Sequence, residues 1–131
     1  MSLYKSEDST SSFEIENTDS HTVTGSKNYG FSFNVKSHDF SGRLKDVWFY
    51  YDDIANFIKA IIDLTSGKVF KAELKAMSDF GLVITPIDSV GHFAANFSLS
   101  DAIHQNTANL TVKLETQSLR EFASELHLML V

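Results

Sequence analysis

The chain has 131 residues, no cysteine and a formal net charge of −6. Its length suits one domain, which can bury roughly two-thirds of the surface its unfolded form exposes. The lack of thiols removes disulfide frameworks, zinc ribbons and cysteine nucleophiles together, and the negative field disfavours binding to phosphate backbones.

No apolar run approaches the roughly 18 residues that span a bilayer, and no basic-then-apolar leader opens the chain. The expectation is a cytoplasmic protein that engages neither membrane nor nucleic acid. Eleven phenylalanines predict an aromatic-rich core.

In chain order, residues 1–11 are polar and aperiodic, so a flexible tail is expected there, with Met1-Ser2-Leu3 set aside as added sequence. Residues 12–131 form the single domain. Phe13-Glu14-Ile15-Glu16 and Phe31-Ser32-Phe33-Asn34-Val35-Lys36 alternate apolar and polar side chains. Such alternation marks strands with one buried and one wet face. The uniformly apolar Val47-Trp48-Phe49-Tyr50-Tyr51 reads as a central strand covered on both faces, after a turn at Phe40-Ser41-Gly42.

A helix is predicted from about Asp53 to Ser66. Ile54, Phe57, Ile58, Ile61 and Ile62 form its apolar stripe, Asp52 or Asp53 its N-cap, and Gly67 its left-handed end. A strand with Phe70, Ala72 and Leu74 on one face follows, and a turn at Ser78-Asp79 leads to Leu82-Val83-Ile84, which also reads as a central strand covered on both faces and is ended by Pro86. Another turn, Asp88-Ser89-Val90-Gly91, precedes the alternating strands over 92–99 and 108–115, which a loop from Ser100 to Asn106 separates.

Ser118, with Glu121 three residues on, has the capping-box pattern for a second helix whose stripe is Leu119, Phe122, Ala123, Leu126 and Leu130. Its greasy end, Met129-Leu130-Val131, should pack on the sheet or on a second subunit. The fold class is α+β: a mainly antiparallel twisted sheet of about six or seven strands with two helices. No internal repeat is visible.

Catalytic and metal motifs are absent. The five histidines show no helical i, i+4 pair, no Gly-x-Ser-x-Gly elbow occurs and no glycine loop cradles a phosphate. Neither a cofactor nor a metal is expected. Asp88 and His92 could meet across their turn as an acid–base or metal pair, although turn chemistry explains the same spacing. Asp46, Asp52, Asp53 and Asp63 gather around the first helix, opposed there by Lys45 and Lys59. Such a face is commonly just solvated. The functional alternative is an acidic docking surface with Trp48 or Tyr51 as aromatic anchor.

The order Phe40-Ser41-Gly42, Trp48, Asp53-Ile54-x-x-Phe57, Gly67, Ala72 and Leu74, Ser78 and Asp88-x-x-Gly91-His92 resembles the WapI-type immunity proteins of bacterial polymorphic toxin systems. The resemblance covers residues 30–100. It implies a cytoplasmic, non-catalytic protein that binds and neutralises a cognate toxin domain. Toxins of these systems are often nucleases with basic surfaces, which an acidic inhibitor complements. The competing expectation is a small-molecule-binding or enzymatic α+β domain with its site between sheet and helices.

Overall fold

The computed structural model describes residues 2–6, 8–23, 26–77, 80–100 and 106–130. Alternating side chains along β1 (Ser2–Lys5), β2 (Ser11–Val23), β3 (Ser26–Ser37) and β4 (Phe40–Tyr50) turn Phe13, Ile15, Phe31, Phe33, Val35, Val47 and Phe49 to one face. These strands form an antiparallel sheet in sequence order. After α1 (Tyr51–Thr65), the strands β5 (Ala72–Lys75), β6 (Phe80–Pro86), β7 (His92–Ser100) and β8 (Thr107–Glu115) form a second four-stranded meander, and α2 (Thr116–Met129) follows.

The class is α+β, but the expected single sheet of six or seven strands is two sheets of four. Period-two alternation shows which side chains turn inward and carries no information on which strands pair. The helix after β4 leads the chain away, so β5 to β8 pair only among themselves. The same order, four strands and then a helix, occurs twice, although the sequence shows no repeat.

The sheets pack face to face, with β8 in contact with every strand of the first sheet. Gly42 on β4 marks a close approach: a Cβ there would lie 2.6 Å from Leu99 Cδ1 and 3.2 Å from Leu110 Cδ1. The helices lie against each other, α1 also covering β5 and α2 touching β8 and β1.

The core is aromatic. Phe13 of β2 stacks on Tyr4 of β1 with centroids 4.9 Å apart and meets Phe122 of α2 at 5.1 Å and Phe97 of β7 at 5.0 Å. Phe57 of α1 meets Phe122 at 6.0 Å. Phe33 stacks on Phe80 at 4.3 Å, joining β3 to β6. Offset and edge-on pairs of this kind contribute about 0.5–1.5 kcal/mol each beyond their area.

The expected tail is therefore corrected. Ser2 to Lys5 pair with Ile15 to Ser12 of β2, and Tyr4 is buried. Four residues with one buried side chain are too short to show a period. Burial pushes the Tyr4 hydroxyl up to about 12. The neutral phenol is favoured in the fold, so this contribution is intact below pH 10 and is lost as pH rises toward 12.

Other expectations shift by smaller amounts. β4 lies at the end of its sheet, with Val47 and Phe49 inward and Trp48 and Tyr50 outward, so it is not covered on both faces. Phe40 to Gly42 belong to β4, and the turn is at His38-Asp39. Phe70 precedes β5 and is 83% exposed. On α1, Leu64 is buried and Ile62 is 53% exposed, because the stripe drifts around a straight helix.

Neither helix has a side-chain cap. Tyr50 and Glu115, both extended, hold the N-cap positions because each strand runs straight into its helix. Asp52 and Asp53 lie in the first turn of α1, and Ser118 lies inside α2. Gly67 does end α1: at φ 75° it donates to Leu64 O, while Lys68 N donates to Asp63 O, the paired bonds of a Schellman ending. Pro86 ends β6. Ser78-Asp79 and residues 101–105 lie outside the described residues.

Phe122→Ala is expected to cost about 3–5 kcal/mol in chemical denaturation, since its side chain is fully buried against three rings. Tyr4→Ala should also lower the denaturation midpoint. A wild-type midpoint for Tyr4→Ala would return residues 2–5 to a dispensable tail.

Candidate functional site

The direct passage of β4 into α1 creates a surface depression. Tyr50 ends the strand with φ −74° and ψ 146°, and Tyr51 begins the helix. With no loop between them, two consecutive tyrosines and the following Asp52 and Asp53 emerge at one corner. Lys27, Asn28 and Tyr29 of β3 complete the lining of a depression of about 630 Å³.

Tyr50 is 53% and Tyr51 45% exposed. The Tyr51 ring lies 6.4 Å from that of buried Tyr29, whose hydroxyl donates to Leu130 O at 2.9 Å and ties β3 to the end of α2. Lys27 Nζ sits 5.3 Å from the Tyr29 ring centroid. Asn28 is the cross-strand neighbour of Tyr50, and its Oδ1 is buried without a donor among the described residues.

Asp52 and Asp53 form no ion pair within the described residues. Their charges face the positive end of the α1 dipole. The corner thus holds two anionic groups and exposed aromatic area.

Of the six residues singled out from sequence, Tyr51, Asp52 and Asp53 line this depression and the other three do not. Asp46 is exposed on a β4 bulge where Lys45 and Asp46 together oppose Ser32, and its φ is 55°. Asp63 shares a side of α1 with Asp52, three turns and about 16 Å further along. Trp48 is half-buried on the outer face of the first sheet. Its ring lies over Gly30, where a Cβ would meet Cε2 and Cζ2 at 3.2 Å. Lys27 and Asn28 were not legible because their nearness depends on the β3–β4 register, whereas Tyr50 directly precedes Tyr51. The usable signal was the Tyr-Tyr-Asp-Asp run itself.

A second depression, of about 370 Å³, lies at the other strand–helix passage. Ser6, Asp8, Asp88, His92, Lys113 and Glu115 line it among others. Asp88 Oδ2 and His92 Nδ1 are 2.6 Å apart, so the pair noted in the sequence does meet. Asp88 Oδ1 also accepts the backbone N–H groups of Val90 and His92, the bonds of an ordered turn. The Val90 N–H first, then the His92 side chain, hold the Asp88 carboxyl below its usual value. The Thr10 hydroxyl and N–H, with the Ser6 hydroxyl, lower Asp8 to about 2.

Among the described residues, no three acidic or histidine side chains are grouped to hold a metal. None of the described helices is long and apolar enough to cross a membrane.

No protein family and no curated protein matches the chain. Among solved structures it is similar to MRP1/MRP2 of Trypanosoma brucei, with a TM-score of 0.49 and 12% identity over 96% of this chain and 81% of that one. Function is accordingly read from the chain's own surface.

An NMR pH titration should place the Asp8 carboxyl near 2, and Thr10→Val should move it toward 3.8. Because the folded value is depressed, the associated stabilisation is present above the unfolded value and is lost as pH falls through the folded one. An Asp8 midpoint that Thr10→Val leaves unmoved would remove the Thr10 bonds as its cause.

Proposed function

We propose that this chain is a non-catalytic, cytoplasmic protein-binding module that docks a basic partner, in keeping with its resemblance to WapI-type immunity proteins of polymorphic toxin systems. The partner on this reading is a toxin domain. The observation that carries it is the corner at β4–α1, where exposed Tyr50 and Tyr51 adjoin Asp52 and Asp53, two carboxylates that form no ion pair among the described residues.

Tyrosine gives large contact area at low entropic cost and is enriched at interfaces. The carboxylates add steering. With a chain charge of −6, they draw a cationic surface toward the same corner. Asp46 and Asp63 lie outside the depression and act as rim charges, which govern association rate more than residence time. Trp48, settled over Gly30, supports the sheet face beside the corner.

A second reading rests on the Asp88–His92 pair. A carboxylate-oriented imidazole beside Lys113 and Glu115 in a depression is a feature of acid–base sites. It favours a small-molecule-binding or enzymatic domain. The turn bonds to Asp88 account for the same geometry without chemistry, so the docking reading is preferred.

Co-expression with any toxin domain encoded beside this gene, followed by pull-down and stopped-flow association, tests the proposal. Wild type should bind and protect. Asp52→Lys/Asp53→Lys should slow association by about tenfold at low salt and flatten its salt dependence. Failure of the wild type to bind or protect would defeat the immunity reading. In that event His92→Ala becomes the informative variant for the alternative.

A further inference from the structure

We infer that two copies of this chain pair through the groove between α1 and α2, forming a four-helix bundle in which α1 of each copy lies on α2 of the other. The inference is independent of the β4–α1 corner, whose lining shares no residue with this groove.

The groove has a volume of about 680 Å³ and is lined by the two helices and the Ser66 that caps α1. Its floor is apolar and includes buried Ile58 and Ile61. Ile62 and Leu128 border it and are 53% and 65% exposed. A single exposed apolar side chain needs no explanation, but two beside one apolar floor make a continuous patch. Ala123 and Ser124 are short, so the backbone of an incoming helix can come close.

Charge selects the occupant. The charged side chains of the lining are Arg120 and His127, both from α2, in a chain of net charge −6. Glu121 and Glu125 of the same helix lie outside the groove. α1 has the opposite balance, with Asp52, Asp53 and Asp63 against Lys59. Arg120 and Asp63 form no ion pair among the described residues. The occupant that fits is an acidic helix with an apolar row beside its aspartate, and Ile58, Ile62 and Asp63 of a second copy supply it.

Packing within one chain sets the register between two. α1 and α2 are antiparallel: Phe57 meets Phe122 at 6.0 Å, and Tyr29 joins the start of α1 to the end of α2 through the Tyr51 ring and Leu130 O. A two-fold axis along the groove keeps every residue at its own level. It sets α1 antiparallel on α2 of the other copy, the up-and-down arrangement of a four-helix bundle. With Phe57 level with Phe122, Asp63 lies about 6 Å along the axis from the level of Arg120 in the second copy. An arginine side chain spans that gap.

Sedimentation velocity on the whole chain, from low to high micromolar concentration, should show a monomer–dimer equilibrium. Ile62→Glu and Leu128→Glu should each raise the dimer dissociation constant at least about tenfold, since each puts a charge in the seam. Both positions are exposed, and an unchanged melting curve at low concentration shows that the variants fold. Arg120→Asp and Asp63→Arg should each weaken self-association by a similar factor. An equimolar mixture of these two variants should recover it, because only the mixed pair places opposite charges at both contacts.

A chain that stays monomeric at every concentration would overturn the pairing and leave the groove to another occupant. A dimer indifferent to both glutamate variants would show that the copies meet elsewhere, and the inference falls. A mixture that associates no better than either charge variant alone would sink the register, and the bundle with it.

Discussion

One contiguous set of aromatic contacts holds the structure together. Phe13 touches Tyr4, Phe122 and Phe97, and through them reaches β1, α2 and β7. Phe122 extends the chain of rings to Phe57 of α1. Phe97 passes it to Phe33 and Phe80, and Phe49 closes the group from β4. Both sheets and both helices thus share one core. Interiors pack at near-crystalline density, so the position of either helix against its sheet is fixed by rings it does not itself carry. Gly42 is the reverse side of the same constraint, since side chains large enough to fill the core leave no space for a Cβ where β4 meets Leu99 and Leu110.

The two candidate sites occupy corresponding places. In each half a four-stranded meander passes into its helix without a loop, at Tyr50–Tyr51 and at Glu115–Thr116. An abrupt change from extended to helical backbone brings the side chains of a strand end, a helix start and a neighbouring strand or turn to one corner. In the first half these are tyrosines and aspartates over β3. In the second, the turn before β7 packs against the passage, and Gly91 O accepts both the N–H and the hydroxyl of Thr116. The first corner offers broad aromatic area with two carboxylates that form no ion pair among the described residues. The second offers a tight, internally bonded turn.

The site was partly legible. Tyr51, Asp52 and Asp53 could be singled out because an acidic pair at a helix start is a local feature of the chain. Their relation to Lys27, Asn28 and Tyr29 could not, because it depends on a β3–β4 register that includes a bulge at Lys45 and Asp46. The bulge moves Asp46 onto its own part of the strand. Trp48 was ambiguous for a related reason: an aromatic residue on an outward position is sheltered only if its cross-strand neighbour is small, and Gly30 is that neighbour.

The sequence by itself determined the local order of the molecule. Alternation of apolar residues set the inward faces of β2, β3, β5, β7 and β8, three- and four-residue spacing set the stripes of α1 and α2, and Gly67 set the end of α1. These are decided by each segment's own side chains and backbone preferences. Tertiary structure alone decided that eight strands divide into two sheets, that Ser2 to Lys5 add an edge strand, and that each helix begins without a side-chain cap. It also decided which residues share a corner. Strand pairing and aromatic packing join residues far apart in sequence, and their energies depend on partners that no local pattern names.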